Sequence, residues 1–259
     1  MGTKEIQQEA LELSKKFGFI SKSVFWDFYC PPGKSMRYQN WGHLTNSPLF
    51  TSYTTGSGVP EHLSLSSKGR QLMGQDSIGQ VAPTYFTHDE MVMRFFLHLK
   101  KESLLRRSWS EGELKSDRAL AVKGLGDGVI SKLPDLLFDV TGGNDFIRCA
   151  LEIERTRKSQ GRYKTMRRAY QRALNVDLIL FGVADEKIEA VIMKEFVEGG
   201  VNTVSKEIGF FDLSEFSERN LESELRIGGK KSTLKRFFSS LAGAVQRAPE
   251  NNRKASGGG

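Results

Sequence analysis

The stretch KLPDLLFDVTGGNDFIRCALEIERTRKSQGRYKTMRRAY, residues 132–170, predicts two strands joined by a hairpin turn and followed by a basic helix. The Thr-Gly-Gly-Asn-Asp run between the strands is typical of a tight hairpin. In the second strand, apolar residues alternate with Glu152 and Glu154, which therefore share a face. Asp135 begins the neighbouring strand, so we expect three carboxylates to converge. Converging carboxylates raise one another's pKa unless a positive charge lies between them.

A hard divalent cation would remove this repulsion. Mg²⁺ prefers carboxylate oxygens and retains water molecules in its coordination shell. Water bound to such an ion can attack phosphorus. The pattern therefore predicts a Mg²⁺ or Mn²⁺ site in which Asp135, Glu152 and Glu154 are both ligands and catalytic residues. The alternative is that these carboxylates only form salt bridges with the arginines that follow.

The segment after the second strand is strongly basic. Eight lysines and arginines occur from Arg155 onwards, and the first acidic residue after them is Asp177. Such density predicts contacts with a phosphate backbone. Tyr163 and Tyr170 lie two helical turns apart on one face, and we interpret them as core residues rather than nucleophiles. The residues expected to contact DNA here are Lys158, Arg162, Arg167 and Arg168.

Residues 1–75 predict a winged helix-turn-helix domain that binds DNA. Three helical segments, at residues 4–17, SKSVFWDFYC and SMRYQNWGHLTNSPLF, precede two short strands around a Gly/Ser/Pro tip. The third helix of such a domain enters the major groove. Its side chains able to reach base edges are Arg37, Gln39 and Asn40. The alternative is a small α+β cap without DNA contact.

The chain from Thr87 onwards predicts an α/β domain. The order helix, three strands, helix, strand and helix indicates a central mixed sheet, which we assign to residues 84–220. Thr87 and Glu90 match a capping box at the first helix. Residues 228–259 carry seven basic residues and one acidic residue, which predicts a disordered basic tail. That tail either binds nucleic acid or only solubilises the chain.

The composition favours a globular cytoplasmic protein. The chain has 259 residues, a formal net charge of +7 and 27% charged residues. We expect no membrane partner, because no apolar run is long enough to span a bilayer and the N-terminus lacks a signal-peptide core. Cys30 and Cys149 lack zinc-ligand spacing and are expected to be buried.

The motifs Pro134-Asp135 and Glu152-Ile153-Glu154, separated by a strand pair, resemble the core of PD-(D/E)xK nucleases. This resemblance implies a restriction-endonuclease-like α/β fold and metal-dependent DNA cleavage. Glu154 stands where the superfamily usually has a lysine, although some of its restriction enzymes carry a glutamate there. By analogy with migrated lysines, Lys164 on the next helix would supply the missing charge, with Lys158 and Arg167 as competitors.

A wider resemblance covers roughly residues 4–195. The segments THDEMVMRFFLHL, WSEGEL, PDLLFDV and ALEIER, with a basic helix ending at Tyr170, are similar to the replication-relaxation family. Within it they most resemble the MOB-C class of plasmid relaxases. The resemblance places the metal at the three carboxylates already named, surrounded by His88, Glu90 and Tyr170.

That resemblance implies an enzyme that nicks one DNA strand at a plasmid transfer origin for conjugative mobilisation. Its expected partners are duplex DNA with a specific site, single-stranded DNA and accessory mobilisation proteins. One alternative is a non-catalytic DNA-binding regulator of plasmid replication or transcription with a degenerate nuclease domain, which the missing lysine favours. Another is a restriction-type enzyme that cuts both strands.

Overall fold

The computed structural model of the protein describes residues 2–30, 33–54, 60–74, 83–126, 132–142, 145–198 and 206–246. The first part of the chain contains helices and a small antiparallel sheet. Its elements are α1 (Thr3–Phe17), β1 (Ile20–Ser21), α2 (Lys22–Tyr29), α3 (Lys34–Thr45), β2 (Phe50–Thr54), β3 (Pro60–Leu65) and α4 (Ser67–Leu72). Strand β3 lies between β1 and β2 and is antiparallel to both.

The three helices and the hairpin expected in this part are therefore present. Helix α1 is an example of how the sequence forms these helices. Its apolar residues at helical spacing, from Ile6 to Phe17, are buried along one face. The helix ends at Gly18, whose φ of 83° favours glycine and whose N–H donates to the Ser14 carbonyl at 2.9 Å. The expected hairpin tip, residues 55–59, lies outside the described residues. The winged-helix interpretation stays a prediction from this order of elements.

The second part of the chain alternates helices and strands. Its elements are α5 (Phe86–Lys101), β4 (Leu105–Ser110), α6 (Glu111–Ser116), α7 (Arg118–Leu125), β5 (Leu136–Gly142), β6 (Asp145–Glu154), α8 (Gln160–Arg172), β7 (Leu178–Val183), α9 (Glu186–Met193), β8 (Glu207–Asp212), α10 (Leu213–Arg219), β9 (Glu224–Ile227), β10 (Lys230–Thr233) and α11 (Leu234–Gln246). Single turns of 3₁₀-helix precede α5 and follow α10, and α9 continues into a π-helical turn.

Within the described residues, seven strands form one mixed sheet in the order β10-β9-β8-β7-β6-β5-β4. Strand β7 is parallel to β6 and β8, whereas the other neighbours are antiparallel. The expected α/β class with a central mixed sheet is confirmed. The finer assignment to a restriction-endonuclease-like fold stays a prediction.

Both faces of this sheet are covered by helices. On one face, Phe95 of α5 lies beside Phe138 of β5 and Phe238 of α11. The N-terminal elements join the same core, where the rings of Phe19 and Phe86 are 4.7 Å apart. The opposite face packs against α6 to α9. Helix α8 therefore covers the face of β6 that carries the even-numbered residues, including the two glutamates.

Cys30 and Cys149 are both buried free thiols, as expected. Burial raises the pKa of the Cys149 thiol well above its ordinary value, so this residue packs as a small apolar side chain. In the part of the chain that the structure describes, no helix is both long enough and apolar enough to cross a membrane.

The capping box expected at Thr87 and Glu90 is wrong. Helix α5 already begins at Phe86, directly after a 3₁₀ turn, and no side chain caps it. The Glu90 carboxylate instead accepts hydrogen bonds from Ser23 at 2.7 Å and from Arg94 at 3.1 Å. A capping box is found at α6, which the sequence did not predict, between Ser110 and Glu113.

The disordered tail expected from residue 228 is wrong for the residues that the structure describes there. Strand β10 extends the seven-stranded sheet, and α11 packs on it with Leu234 and Phe238 fully buried. Two lysines of this segment form ion pairs, Lys231 with Glu224 at 3.0 Å and Lys235 with Glu102 at 3.1 Å. The apolar residues at helical spacing therefore determine the structure of this segment more than its high charge does. Residues 247–259 lie outside the described part of the chain.

Replacing Phe238 by alanine tests this packing. The Phe238→Ala variant should lose about 3–5 kcal/mol of unfolding free energy, because the ring is fully buried against Phe95 and Phe138. Urea denaturation followed by circular dichroism measures the loss. Ser239→Ala, at an exposed position of the same helix, is the control and should be nearly neutral. Equal stability of both variants would mean that α11 does not contribute to the core.

Candidate active site

The β5–β6 hairpin brings Asp135 and Glu152 together. Leu136 pairs with Leu151, which sets Asp135 opposite Glu152 at the entrance of β5. The Asp135 N–H donates to the Leu151 carbonyl at 3.1 Å, which extends the hydrogen bonding between β5 and β6 by one residue. Opposite residues of an antiparallel pair share a face, so the two carboxylates point the same way. The lateral arrangement expected from the sequence is therefore present.

The ammonium group of Lys132 lies between these two carboxylates. Its Nζ is 2.9 Å from Glu152 Oε2 and 3.5 Å from Asp135 Oδ1. It also donates to the Leu133 carbonyl oxygen at 2.7 Å. The two carboxylates outweigh the effect of burial and raise the pKa of Lys132 far above its ordinary value. Lys132 is thus a permanent cation, and sequence reasoning missed it.

The second carboxylate oxygen of Asp135 also has two hydrogen-bond partners. Oδ2 accepts a hydrogen bond from the Ile153 N–H at 2.7 Å and contacts His88 Nε2 at 3.1 Å. Burial alone would raise the pKa of Asp135, but Lys132 and His88 hold it well below its usual range. Asp135 therefore stays ionised at all ordinary pH values.

His88 is held between two aspartates. Its Nδ1 lies 2.8 Å from Asp89 Oδ1, and its Nε2 contacts Asp135. Burial lowers the pKa of His88, but the hydrogen bonds and charges of both aspartates outweigh it and raise the pKa to about 10. The imidazole is therefore protonated at neutral pH, and both of its nitrogens donate. The expectation that His88 lies beside the acidic cluster agrees with this geometry.

Glu152 is completely buried between Lys132 and Tyr170. The Tyr170 hydroxyl donates to Glu152 Oε1 at 2.6 Å. Burial raises the pKa of Glu152 to about 7; Lys132 opposes this shift, and Asp135 adds to it. Glu152 thus titrates in the physiological range, unlike its neighbour Asp135.

Glu154 belongs to a separate ion pair. Its Oε1 contacts the ammonium group of Lys158, four residues later, and its Oε2 lies 3.5 Å from the Tyr163 hydroxyl. Burial raises the pKa of Glu154, with Lys158 opposing the shift. Among the described residues, no three acidic, histidine or cysteine side chains converge as metal ligands. The structure therefore does not bring Glu154 to the point shared by Asp135 and Glu152.

The point occupied by the Lys132 ammonium fits a divalent cation. Three oxygens surround it, from the Leu133 carbonyl, Asp135 and Glu152. Glu152 Oε2 is buried, and in the described part of the chain it accepts no hydrogen bond of good geometry, although Lys132 is close. Carboxylate and carbonyl oxygens are the ligands that hard divalent cations take. Asp135 and Glu152 would hold such an ion.

The tyrosines of α8 are core residues, as interpreted. Tyr163 and Tyr170 are 0% and 2% exposed. Burial raises the pKa of both hydroxyls, and the neighbouring carboxylates add to the shift, so both tyrosines remain neutral donors. The contact of Tyr170 with Glu152 agrees with the expectation that Tyr170 lies beside the acidic cluster, whereas the contact of Tyr163 with Glu154 was not foreseen. The signal was available, because Tyr163 and Tyr170 share the face that α8 turns towards β6.

Lys164 does not reach the carboxylates. Tyr163, Met166 and Tyr170 occupy the inner face of α8, so Lys164 is turned outward and exposed. The expectation that it replaces the missing lysine is therefore not supported by the geometry, in which Lys132 supplies the ammonium. Glu90 is also drawn away from the cluster, by Arg94 and Ser23.

The other basic residues of this segment divide into two groups. Lys158 is neutralised by Glu154, and Arg167 pairs with Glu195 at 3.1 Å. The remaining side chains are exposed and free to meet a phosphate backbone in solution. These are Arg155, Arg157, Arg162, Lys164, Arg168 and Arg172.

Helix α3 exposes only part of the set expected to read bases. Gln39 is exposed, whereas Arg37 and Asn40 are half-buried. The Arg37 carbonyl accepts from Trp26 Nε1 at 3.1 Å, which ties this turn of α3 to α2. His43, another polar residue that the sequence places in this helix, lies one turn after Gln39 and is exposed on the same side.

Comparison of the chain with protein-family models, with curated proteins and with solved structures finds no match. The resemblance to replication-relaxation proteins therefore stays a prediction from the motifs quoted above.

Glu152 gives a testable pH dependence. Its folded pKa of about 7 exceeds the ordinary value of 4.5, so the folded state keeps a proton that the unfolded state loses as pH rises through this window. The contribution of Glu152 to the unfolding free energy is fully present below pH 4.5 and is lost as the pH rises to about 7. Glu152→Gln cannot titrate, so its stability relative to wild type should improve by roughly 3 kcal/mol across the window.

Urea unfolding of both proteins at several pH values between 4 and 8 measures this difference. Glu218→Gln, at an exposed position of α10, is the matched control. A difference between Glu152→Gln and wild type that stays constant with pH would show that burial does not perturb Glu152.

Proposed function

We propose that this protein is a metal-dependent DNA endonuclease. The observation that carries the proposal is the convergence of Asp135 and Glu152 oxygens on one cation position. An exposed basic segment starts directly after this strand, with Arg155 and Arg157. Metal-dependent phosphodiester cleavage uses a cation position between carboxylates together with nearby basic side chains that contact the phosphates.

The ligands Asp135 and Glu152 would hold Mg²⁺ or Mn²⁺. When bound, such an ion supplies an activated water and positive charge at the phosphate. His88 keeps Asp135 ionised and fixes its orientation through Nε2. Tyr170 fixes Glu152 through its hydroxyl. Both contacts restrict the carboxylates to one arrangement, which is what preorganised catalytic groups need.

The outward face of α8 would hold the DNA backbone. Lys164 and Arg168 are one helical turn apart and exposed, so both can contact successive phosphates without losing an internal partner. Lys164 thus contributes to affinity in this proposal and not to the chemical step. Helix α3 would select the sequence, with Gln39 and His43 on its outer side.

The motif resemblance extends this proposal to single-strand nicking at a plasmid transfer origin during conjugative mobilisation. The protein would then act in the cytoplasm on duplex DNA, and on the single strand that nicking releases, with accessory mobilisation proteins. In this proposal a single cation position is formed by Asp135 and Glu152, because Glu154 contacts Lys158 instead.

Cleavage of a supercoiled plasmid tests the activity. With Mn²⁺ or Mg²⁺ and a plasmid carrying the cognate origin, the wild type should convert supercoiled DNA to open circles, and EDTA should prevent this. Asp135→Asn and Glu152→Gln should each lower the rate by about a hundredfold or more, because each removes a metal ligand. Agarose gels at timed intervals give the rates.

Glu218→Gln is the control and should cleave like the wild type, since this exposed residue lies on the other face of the sheet. Glu154→Gln separates the two ion pairs. If Glu154 serves only Lys158, nicking should persist in that variant after its stability has been taken into account. Equal rates for wild type and Asp135→Asn would exclude the proposed site.

A non-catalytic DNA-binding protein is the second candidate. Lys132 and Lys158 already neutralise the buried glutamates without a metal, which favours a domain that has lost its chemistry. In that case no plasmid would be cut under any metal condition, while DNA binding would persist in EDTA. The plasmid assay therefore separates the two candidates.

DNA binding itself divides into two measurable parts. Gln39→Ala should relax sequence preference by about 1–3 kcal/mol at one base position, because the exposed Gln39 side chain would contact a base edge in this proposal. Lys164→Ala should instead weaken binding to all sequences alike and reduce the salt slope by about one. Fluorescence anisotropy with cognate and scrambled duplexes at several salt concentrations measures both. A loss of preference in Lys164→Ala would reverse these assignments.

A further inference from the structure

We infer that Lys132 is a built-in competitor for the divalent cation: its ammonium group and the metal ion occupy the same position, one at a time. The inference rests on the proposed function, because it concerns the metal of that site. It assigns to Lys132 the control of metal occupancy, a role that the motif resemblance did not indicate.

The oxygens around Lys132 carry the argument. An ammonium group has three protons, and Lys132 Nζ meets three oxygens. They are Leu133 O at 2.7 Å, Glu152 Oε2 at 2.9 Å and Asp135 Oδ1 at 3.5 Å. These are the oxygen types that Mg²⁺ and Mn²⁺ bind. An ion using the same oxygens must therefore take the place of the ammonium group.

Other buried carboxylates of the sheet are paired differently. Asp139 forms a bidentate pair with Arg148, with contacts of 2.7 and 3.0 Å. Glu154 contacts Lys158, and among the described residues no second carboxylate shares that lysine. Lys132, by contrast, bridges two carboxylates. Lys235 also lies between two carboxylates, but the side chains of Glu102 and Glu222 are 36% and 56% exposed, whereas those of Asp135 and Glu152 are 9% and 0% exposed. The Lys132 position is therefore distinguished by two buried carboxylates that share one cation.

Lys132 also has room to leave. Its side chain is 23% exposed, while Glu152 is 0% exposed. The lysine stem is flexible, and its ammonium group is well hydrated once it reaches water. The carboxylates stay in place, because His88 and Tyr170 hold them independently of Lys132. Two positive charges a few ångströms apart in this buried site repel each other strongly, so entry of the ion requires exit of the ammonium group.

Titration with Mn²⁺ in the absence of DNA tests the competition. Lys132→Met removes the competing charge and should bind Mn²⁺ at least tenfold more tightly than the wild type by isothermal calorimetry. Lys132→Arg retains the charge and should show no such gain. Lys187→Met, an exposed lysine of α9, is the matched control and should bind like the wild type.

A second measurement uses the wild-type protein and does not depend on the folding of any variant. Lys132 should react slowly with an amine-acylating reagent while it is held between the carboxylates. Saturating Mn²⁺ should increase the labelling of Lys132 several-fold over that in metal-free buffer, as measured by peptide mass spectrometry. Lys187 provides the internal reference, and its labelling should stay constant.

The outcomes separate this inference from the proposed function. Equal Mn²⁺ affinity in wild type and Lys132→Met, with unchanged Lys132 labelling, overturns the inference and leaves an endonuclease standing. Tighter Mn²⁺ binding by Lys132→Met with no plasmid cleavage supports the inference and removes the endonuclease. Absence of Mn²⁺ binding in every protein, with Lys132 labelling unaffected by the ion, overturns both.

Discussion

The burial of two carboxylates on one central strand is the constraint on which this site depends. Glu152 and Glu154 are both 0% exposed on β6, where an unpaired charge would cost several kcal/mol. Each is therefore matched by one ammonium group and one tyrosine hydroxyl, from Lys132 and Tyr170 or from Lys158 and Tyr163. Because the tyrosines belong to α8 and Lys132 precedes β5, the strand can be buried only when both neighbours are in place.

The hairpin and its register could be predicted from the sequence. The Thr-Gly-Gly-Asn-Asp run predicts a short hairpin connection, and the observed register pairs Gly142 with Asp145 and sets Asp135 opposite Glu152. The partner of those carboxylates could not be predicted in the same way. Lys132 precedes Pro134, outside the alternating strand, and alternation does not tell where such a side chain points. Lys164 was misassigned because its direction follows from the packing of α8.

The C-terminal segment shows how charge can hide an apolar pattern. Its lysines and arginines suggested disorder, yet Leu234, Phe238 and Leu241 recur at the spacing of one helical face. That face packs against Phe138 of β5, on the side of the sheet opposite the glutamates. Net charge is a sum over a segment and carries no periodicity, whereas the periodicity of apolar residues predicts which face of a helix is buried. The seven-stranded sheet consequently extends beyond the expected domain boundary at residue 220.

Stability and metal binding make opposite demands on the same three oxygens. With Lys132 among them, the fold has a neutralised interior and needs no ion. With a divalent cation among them, the ammonium group must move to water while His88 and Tyr170 hold the carboxylates. Asp135 suits this exchange because its side chain is 9% exposed and lies at the strand entrance. Glu154 contacts Lys158 and lies outside this group of three oxygens. Among the described residues, Asp135 and Glu152 share one ammonium group, so a cation that displaced Lys132 would meet both carboxylates at once.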